Sequence, residues 1–295
     1  MKNILIGLIA LVIVGLLAFL MLSDRATAPT PEDTADLTKP LPVEPNGGIG
    51  DGAKPLDSET QEVDRAPQEV IGKSVSGADI MAYHFGTGNK EILFIGGIHN
   101  GFAPNTVALA KELVNELQAG DISIPDGLVV TVIPNLNPDA KNSPNTLAGR
   151  LNQNGIDLNR NFDCEWNAQG TWSNTPVSGG SAPFSEPETA AIRDYVNANQ
   201  VSGAVVYYAA DGGVYASNCG GALSADIKTL TSTYASASGY TANEEFNAYK
   251  ISGDMTNWLA KNNIPAIGVL LSDYTSTEWS KNKAGIEATL NYFAE

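Results

Sequence analysis

Four short apolar runs, residues 91–98, 128–133, 204–208 and 265–271, most constrain what this chain can fold into. Each has the length of a strand, and each is apolar without strict alternation, which a strand tolerates only when both sheet faces are covered. Residues 80–85 alternate as a further short strand. Between these runs lie helical patterns. Residues 104–117 have helical spacing with Pro104 and Asn105 near the start, and residues 224–236, 253–262 and 282–293 read as helices. Ser185 and Glu188 form a capping-box pattern with Pro187 at an early helical position, which predicts another helix from there. Strands alternating with helices predict an α/β domain with a mixed, mostly parallel central sheet and helices on both faces. In such sheets function collects in loops at the carboxyl ends of the strands. His99, the stretch 135–160, Asp211 and Asp273 all follow expected strands and should meet at one edge. Residues 134–184 read as a long loop region rich in Asn, Pro and Gly.

The 295 residues divide into an expected transmembrane signal anchor over 1–23, a linker over 24–69 and a folded domain over 70–295. Residues 4–22 carry no charge and match a bilayer-spanning helix in length. Lys2 precedes them, so the positive-inside rule predicts a single-pass membrane protein with a cytoplasmic N-terminus and an extracytoplasmic domain. The rival is a signal peptide cut after Ala26-Thr27-Ala28, which leaves the domain secreted; Pro29 and the length of the apolar run count against it. The linker holds Pro29, Pro31, Pro40, Pro42, Pro45, Pro55 and Pro67 and almost no large apolar residue, so its composition predicts an extended, disordered spacer. A net charge of −16 argues against nucleic acid or anionic lipid as a partner, because both would be repelled. Cys164 and Cys219 are the two cysteines, and outside the cytoplasm such a pair is expected to be bridged.

Arg150 and Arg160 stand in a segment dense with Asn, Gly and Asp. A guanidinium grips a carboxylate through two parallel hydrogen bonds and a neighbouring Asn adds a third contact, so this segment suits the free C-terminus of a peptide. The bland alternative is that both arginines pair with acids inside a loop network. The run Gly155-Ile156-Asp157-Leu158-Asn159-Arg160-Asn161-Phe162 does not stand alone. Gly96 to His99, Asn137-Pro138-Asp139, Gly149-Arg150, Ser185 to Thr189 and Tyr249 through Trp258 accompany it. Together these resemble the M14 zinc carboxypeptidase family over residues 70–293. The resemblance implies the zinc carboxypeptidase fold. It implies that Asn159 and Arg160 bind a terminal carboxylate, that Arg150 polarises the scissile carbonyl and that Tyr249 closes over the substrate.

The same resemblance implies a zinc ion on two histidines and a glutamate, with a second glutamate as general base. The chain has only His84 and His99. His99 is followed by Asn100-Gly101-Phe102-Ala103, with no glutamate. The third ligand's place reads Tyr207-Tyr208-Ala209-Ala210-Asp211, and the base's place falls on Leu270. His84 lies within an expected strand and reads as a structural residue. Asp211 and Asp273 are the candidate replacement ligands beside His99. The expectation is therefore no cofactor, with zinc only if the family chemistry survives, and catalysis is left open. Three readings follow. The first is a membrane-tethered, extracytoplasmic, non-catalytic binder of peptide C-termini, such as peptidoglycan stem peptides of the cell wall. The second is an active zinc metallocarboxypeptidase with an unorthodox site, Arg150 stabilising the oxyanion and Asp273 as base. The third is a partner-docking module with an apolar patch of Phe102, Tyr208 and Leu270 over the cleft.

Overall fold

A computed structural model describes residues 65–295. The expected anchor, and the expected linker up to residue 64, lie outside the described residues. Among the described residues no helix is long and apolar enough to cross a membrane.

An eight-stranded sheet organises the domain. Its strands are β1 (Gln68–Lys73), β2 (Asp79–Phe85), β3 (Gly88–Ile95), β4 (Gly127–Ile133), β7 (Val201–Ala209), β8 (Gly213–Ala216), β9 (Thr241–Asn243) and β10 (Ala266–Leu271). The order across the sheet is β1-β2-β4-β3-β7-β10-β8-β9. The centre, β4-β3-β7-β10, is parallel, whereas β2 and β8 flank it antiparallel. A separate hairpin joins β5 (Gln169–Trp172) to β6 (Thr175–Ser178). The helices are α1 (Pro104–Ala119), α2 (Leu147–Arg150), α3 (Pro187–Ala198), α4 (Ala225–Ser238), α5 (Met255–Lys261) and α6 (Trp279–Ala294).

The central strands are apolar throughout because successive side chains feed two different cores. On β3, Ile92 and Phe94 face a core built with Leu109 and Leu113 of α1, Leu230 and Tyr234 of α4, and Ile286 and Leu290 of α6. Leu93 and Ile95 face the opposite core, with Ile192 and Tyr195 of α3 and Met255, Trp258 and Leu259 of α5. On β7, Val205 and Tyr207 join the first core while Ala204 and Val206 join the second. Helices therefore cover both faces, and the segments after β3 and β4 carry His99 and the Arg150–Arg160 motif to the carboxyl edge of the sheet.

Three expectations differ from the structure. Ordered chain begins before residue 70: β1 starts at Gln68, and Arg65 places Nη1 2.7 Å from Glu91 Oε1. Backbone pairing with β2 holds this polar edge strand, so its composition resembles linker. The expected loop over 134–184 contains α2, the β5–β6 hairpin and a 3-10 turn at Leu158–Arg160. The expected capping box does not form. Asn161 Nδ2 donates to Ser185 Oγ (3.0 Å), and Glu188 accepts from Val75 N and Asn152 Nδ2. Helix α3 starts one residue beyond Ser185's reach, with Glu186 as its N-cap.

Candidate functional site

A cavity of about 750 Å³ opens where β7 and β10 end, lined by His99, Phe102, Arg150, Asn159, Arg160, Tyr208, Tyr249, Leu270 and neighbours. Its floor is organised by Asp157, a residue that the motif reading passed over. Asp157 caps the 3-10 turn, accepting Asn159 N at Oδ1 (3.0 Å). The same oxygen lies 2.9 Å from His99 Nε2, and Oδ2 accepts Arg150 Nε at 2.7 Å. Asp157 is fully buried, and burial opposes its charge, yet Arg150, His99 and Arg160 hold its carboxyl well below the usual carboxylate range. Burial and the nearby Arg150 push the His99 pKa down to about 4, against the pull of Asp157. The imidazole is therefore neutral at pH 7 and carries its proton on Nε2, facing the carboxylate. The available signal for Asp157 was local: an Asp two residues ahead of Asn159, the spacing of an Asx turn.

Arg150 uses only Nε on Asp157, which leaves both Nη groups without a hydrogen bond among the described residues. The Phe102 and Trp172 rings flank it, 5.8 and 5.4 Å from the guanidinium carbon. Arg160 is 1% exposed. Nε and Nη2 donate to Thr171 O (3.1 and 2.8 Å) and Nη1 donates to Asn159 O (2.6 Å). Three of its five N–H groups are thus satisfied, and two remain. Among the described residues Arg160 forms no ion pair, in contrast to Arg150. The backbone around Arg160 tolerates this packing because glycines line it. A Cβ on Gly170 would sit 2.9 Å from Arg160 Cδ, and one on Gly253, whose φ is +62°, would sit 2.2 Å from Arg160 O. Gly253 also ties the Tyr249 loop to the motif through Phe162 N and Cys164 O, and the Tyr249 ring lies 5.9 Å from the Arg160 guanidinium. The Cys164–Cys219 bridge forms, fastening the segment after the motif to the segment after β8.

Asn159 is more committed than a bare carboxylate binder. Its Nδ2 donates to Asp254 Oδ2 (2.7 Å), and its Oδ1 accepts Met255 N (3.0 Å) and Tyr208 OH (3.4 Å). One Nδ2 hydrogen is left. Asp254 in turn caps α5. Burial, and then Asp254, keep the Tyr208 hydroxyl protonated well above its usual range, so it acts as a donor.

The residues at the family's metal positions do not fit zinc. Phe102 is 2% exposed and stacks edge-on with Trp172 and Tyr274. Tyr208 and Leu270 are direct partners in the β7–β10 register and stand side by side at the strand ends. Neither phenylalanine nor leucine offers a lone pair, so His99, whose Nε2 is bound to Asp157, would bring a single ligand atom, Nδ1. The proposed replacements do not join His99: among the described residues no three His, Cys, Asp or Glu side chains gather as a metal site requires. Asp211 instead accepts the Tyr215 hydroxyl, and Asp273 is exposed and caps a turn through Thr275 N and Ser276 N at 2.7 Å. Aspartate is short; the Tyr215 hydroxyl claims Asp211 and local backbone N–H groups claim Asp273. His84 stays in β2, 2.9 Å from Thr131 Oγ1, remote from the cleft. The apolar docking patch is also not formed, since Phe102 is buried and Tyr208 and Leu270 are half-buried.

Comparison with known proteins supplies a frame for this geometry. A family model described as zinc carboxypeptidase matches residues 57–291. A carboxypeptidase B from Helicoverpa zea is 32% identical over 152 residues, which cover 45% of this chain and 35% of that protein. The chain thus matches about a third of the length of that curated relative. Among solved structures, a murein-tripeptide amidase from Escherichia coli O157 is similar with TM-score 0.58 at 20% identity, covering 77% of this chain and 92% of that one. A carboxypeptidase A from Helicoverpa armigera gives TM-score 0.61 at 16% identity, covering 77% and 68%. Bovine thrombin-activatable fibrinolysis inhibitor, in complex with a tick carboxypeptidase inhibitor, gives 0.60 at 17%, covering 77% and 87%. At these identities the solved structures share the fold.

Proposed function

This chain belongs to the zinc carboxypeptidase family, and we propose that its cleft binds the C-terminal carboxylate of a peptide without cutting the peptide. Arg160 carries this reading. It is a buried cation at the cleft wall, with two N–H groups unspent and no carboxylate partner among the described residues. A buried, unpaired charge is costly, and a ligand carboxylate would supply the missing counter-charge in the bidentate geometry that arginine favours. Arg150 adds two more open Nη groups, and Tyr249 lies over Arg160 as a cover. Hydrolysis needs an activated water and a base. Phe102, Tyr208 and Leu270 supply neither, so the reading includes no metal and no catalysis.

The likeness to a murein-tripeptide amidase supports a peptidoglycan stem peptide as the ligand, by analogy of fold. The uncharged residues 4–22 support a single-pass tether that holds the domain outside the membrane. Calorimetric titration of the full chain with acetyl-trialanine and with its C-terminal amide tests the central claim. The acid should bind and the amide should bind at least about tenfold more weakly. Arg160→Ala should cost about 2–5 kcal/mol of binding to the acid, as for loss of one partner of a buried charge pair. Equal binding of acid and amide would sink the carboxylate reading. Chelator-sensitive release of alanine would replace it with the metallopeptidase reading.

A further inference from the structure

The cleft floor holds one base whose lone pair has no employer. His99 is 5% exposed and lines the cavity, and its Nε2 lies 2.9 Å from Asp157 Oδ1. Asp157 is also bound to Arg150, so it is the acceptor and Nε2 carries the hydrogen. A second proton on the ring would put a third cation beside two buried arginines. The ring is thus neutral, and Nδ1 is a bare acceptor with no hydrogen bond among the described residues. The cavity that His99 lines also carries unspent donors: the open Nη atoms of Arg150 and Arg160 and the remaining Nδ2 hydrogen of Asn159. A ligand offering only a carboxylate would meet the donors and leave Nδ1 unmatched. The end of a peptide offers more, because its last amide N–H sits one carbon away from the carboxylate.

We infer that His99 reads the last amide of the bound peptide, its Nδ1 accepting that N–H while the arginines hold the terminal carboxylate. The inference rests on the carboxylate-binding reading. Geometry ties the two halves together: Asp157 Oδ1 accepts both His99 Nε2 (2.9 Å) and Asn159 N (3.0 Å), so a single oxygen links the imidazole to the turn that bears Arg160. The Phe102 and Tyr208 rings, with centroids 6.5 and 6.3 Å away, flank the imidazole. The Tyr208 hydroxyl is turned to Asn159 Oδ1, and the Phe102 ring has no polar hydrogen, so neither supplies a donor that competes for Nδ1. His99 then acts as a specificity residue for α-amido carboxylates, and carboxylates attached through an ester are disfavoured, because an ester oxygen would face the lone pair.

The test compares three probes on the unaltered full chain: acetyl-trialanine, its C-terminal amide, and acetyl-dialanyl-lactate, in which an ester oxygen replaces the last N–H. Both the L and the D series are used. The ester should bind about three- to tenfold more weakly than the acid, the size of one neutral hydrogen bond. In His99→Phe this ratio should collapse toward one, while the preference for acid over amide persists. An ester that binds the unaltered chain as tightly as the acid, while the amide is rejected, overturns the role of His99 alone. Acid and amide binding alike, or no binding by any probe, overturns the carboxylate reading and the inference with it. The ligand-side comparison stands even if His99→Phe fails to fold.

Discussion

Asp157 joins His99, Arg150 and the Asn159–Arg160 turn through two oxygens, so the cleft floor stands or falls on one buried carboxylate. Asp157→Asn leaves Arg150 buried without its counter-charge and should destabilise the fold by about 3–5 kcal/mol in urea unfolding. The pH dependence has a definite sign. His99 titrates near its ordinary 6.5 when unfolded and at about 4 when folded, so between these values the unfolded chain binds the extra proton. Stability contributed by His99 is fully present above pH 6.5 and is lost as the pH falls toward 4. Asp157, also depressed, extends the loss to still lower pH. Unfolding at pH 7, 5.5 and 4.5 should show a slope of up to about 1.4 kcal/mol per pH unit from His99, and His99→Gln should remove that part. At this scale the arginines stood out because the run 155–162 is accompanied by several further matching segments, whereas a lone Asn-Arg pair carries no signal. Asp157 was not, because its importance lies in a partner 58 residues away.

The elements that position the site differ in how plainly they announce themselves. Strands β3, β4, β7 and β10 are buried on both faces, so their apolar runs are unmistakable. The hairpin β5–β6 is short, polar and interrupted by Pro176, yet Thr171 at its heart holds the Arg160 guanidinium. Its pairing comes from tertiary packing on the motif, for which no local periodicity exists. The Ser185 pattern failed for a related reason: Asn161 claims the serine hydroxyl before the helix can. The Cys164–Cys219 bridge closes a loop of 55 residues between the motif and the β8 segment. Replacing both cysteines with serine should cost about 2–4 kcal/mol in urea unfolding, from the freedom regained by the unfolded chain. The bridge also bears on location. A chain isolated from its native compartment without reductant should show no free thiols, and two free thiols would count against export.

For the whole molecule, family membership is shown, and the proposed absence of catalysis turns on zinc. The fold is that of a zinc carboxypeptidase, while Phe102, Tyr208 and Leu270 line the cleft where the resemblance implies metal and base groups. The purified chain, dialysed against trace zinc, should retain well under one zinc per chain, and a chelator should leave its thermal midpoint unchanged. Near-stoichiometric zinc would return the peptidase reading to first place. The sequence was sufficient for the α/β class and the run of the central strands, because strand burial is a local property of composition and spacing, and it singled out the two arginines that line the cleft. Three arrangements emerged only on folding: the pairing of Leu270 with Tyr208, the capture of His99 by Asp157, and an Arg160 that forms no ion pair among the described residues. Each depends on which distant segments meet at the sheet edge. That is set by strand order and packing, and neither is written in any single stretch of chain.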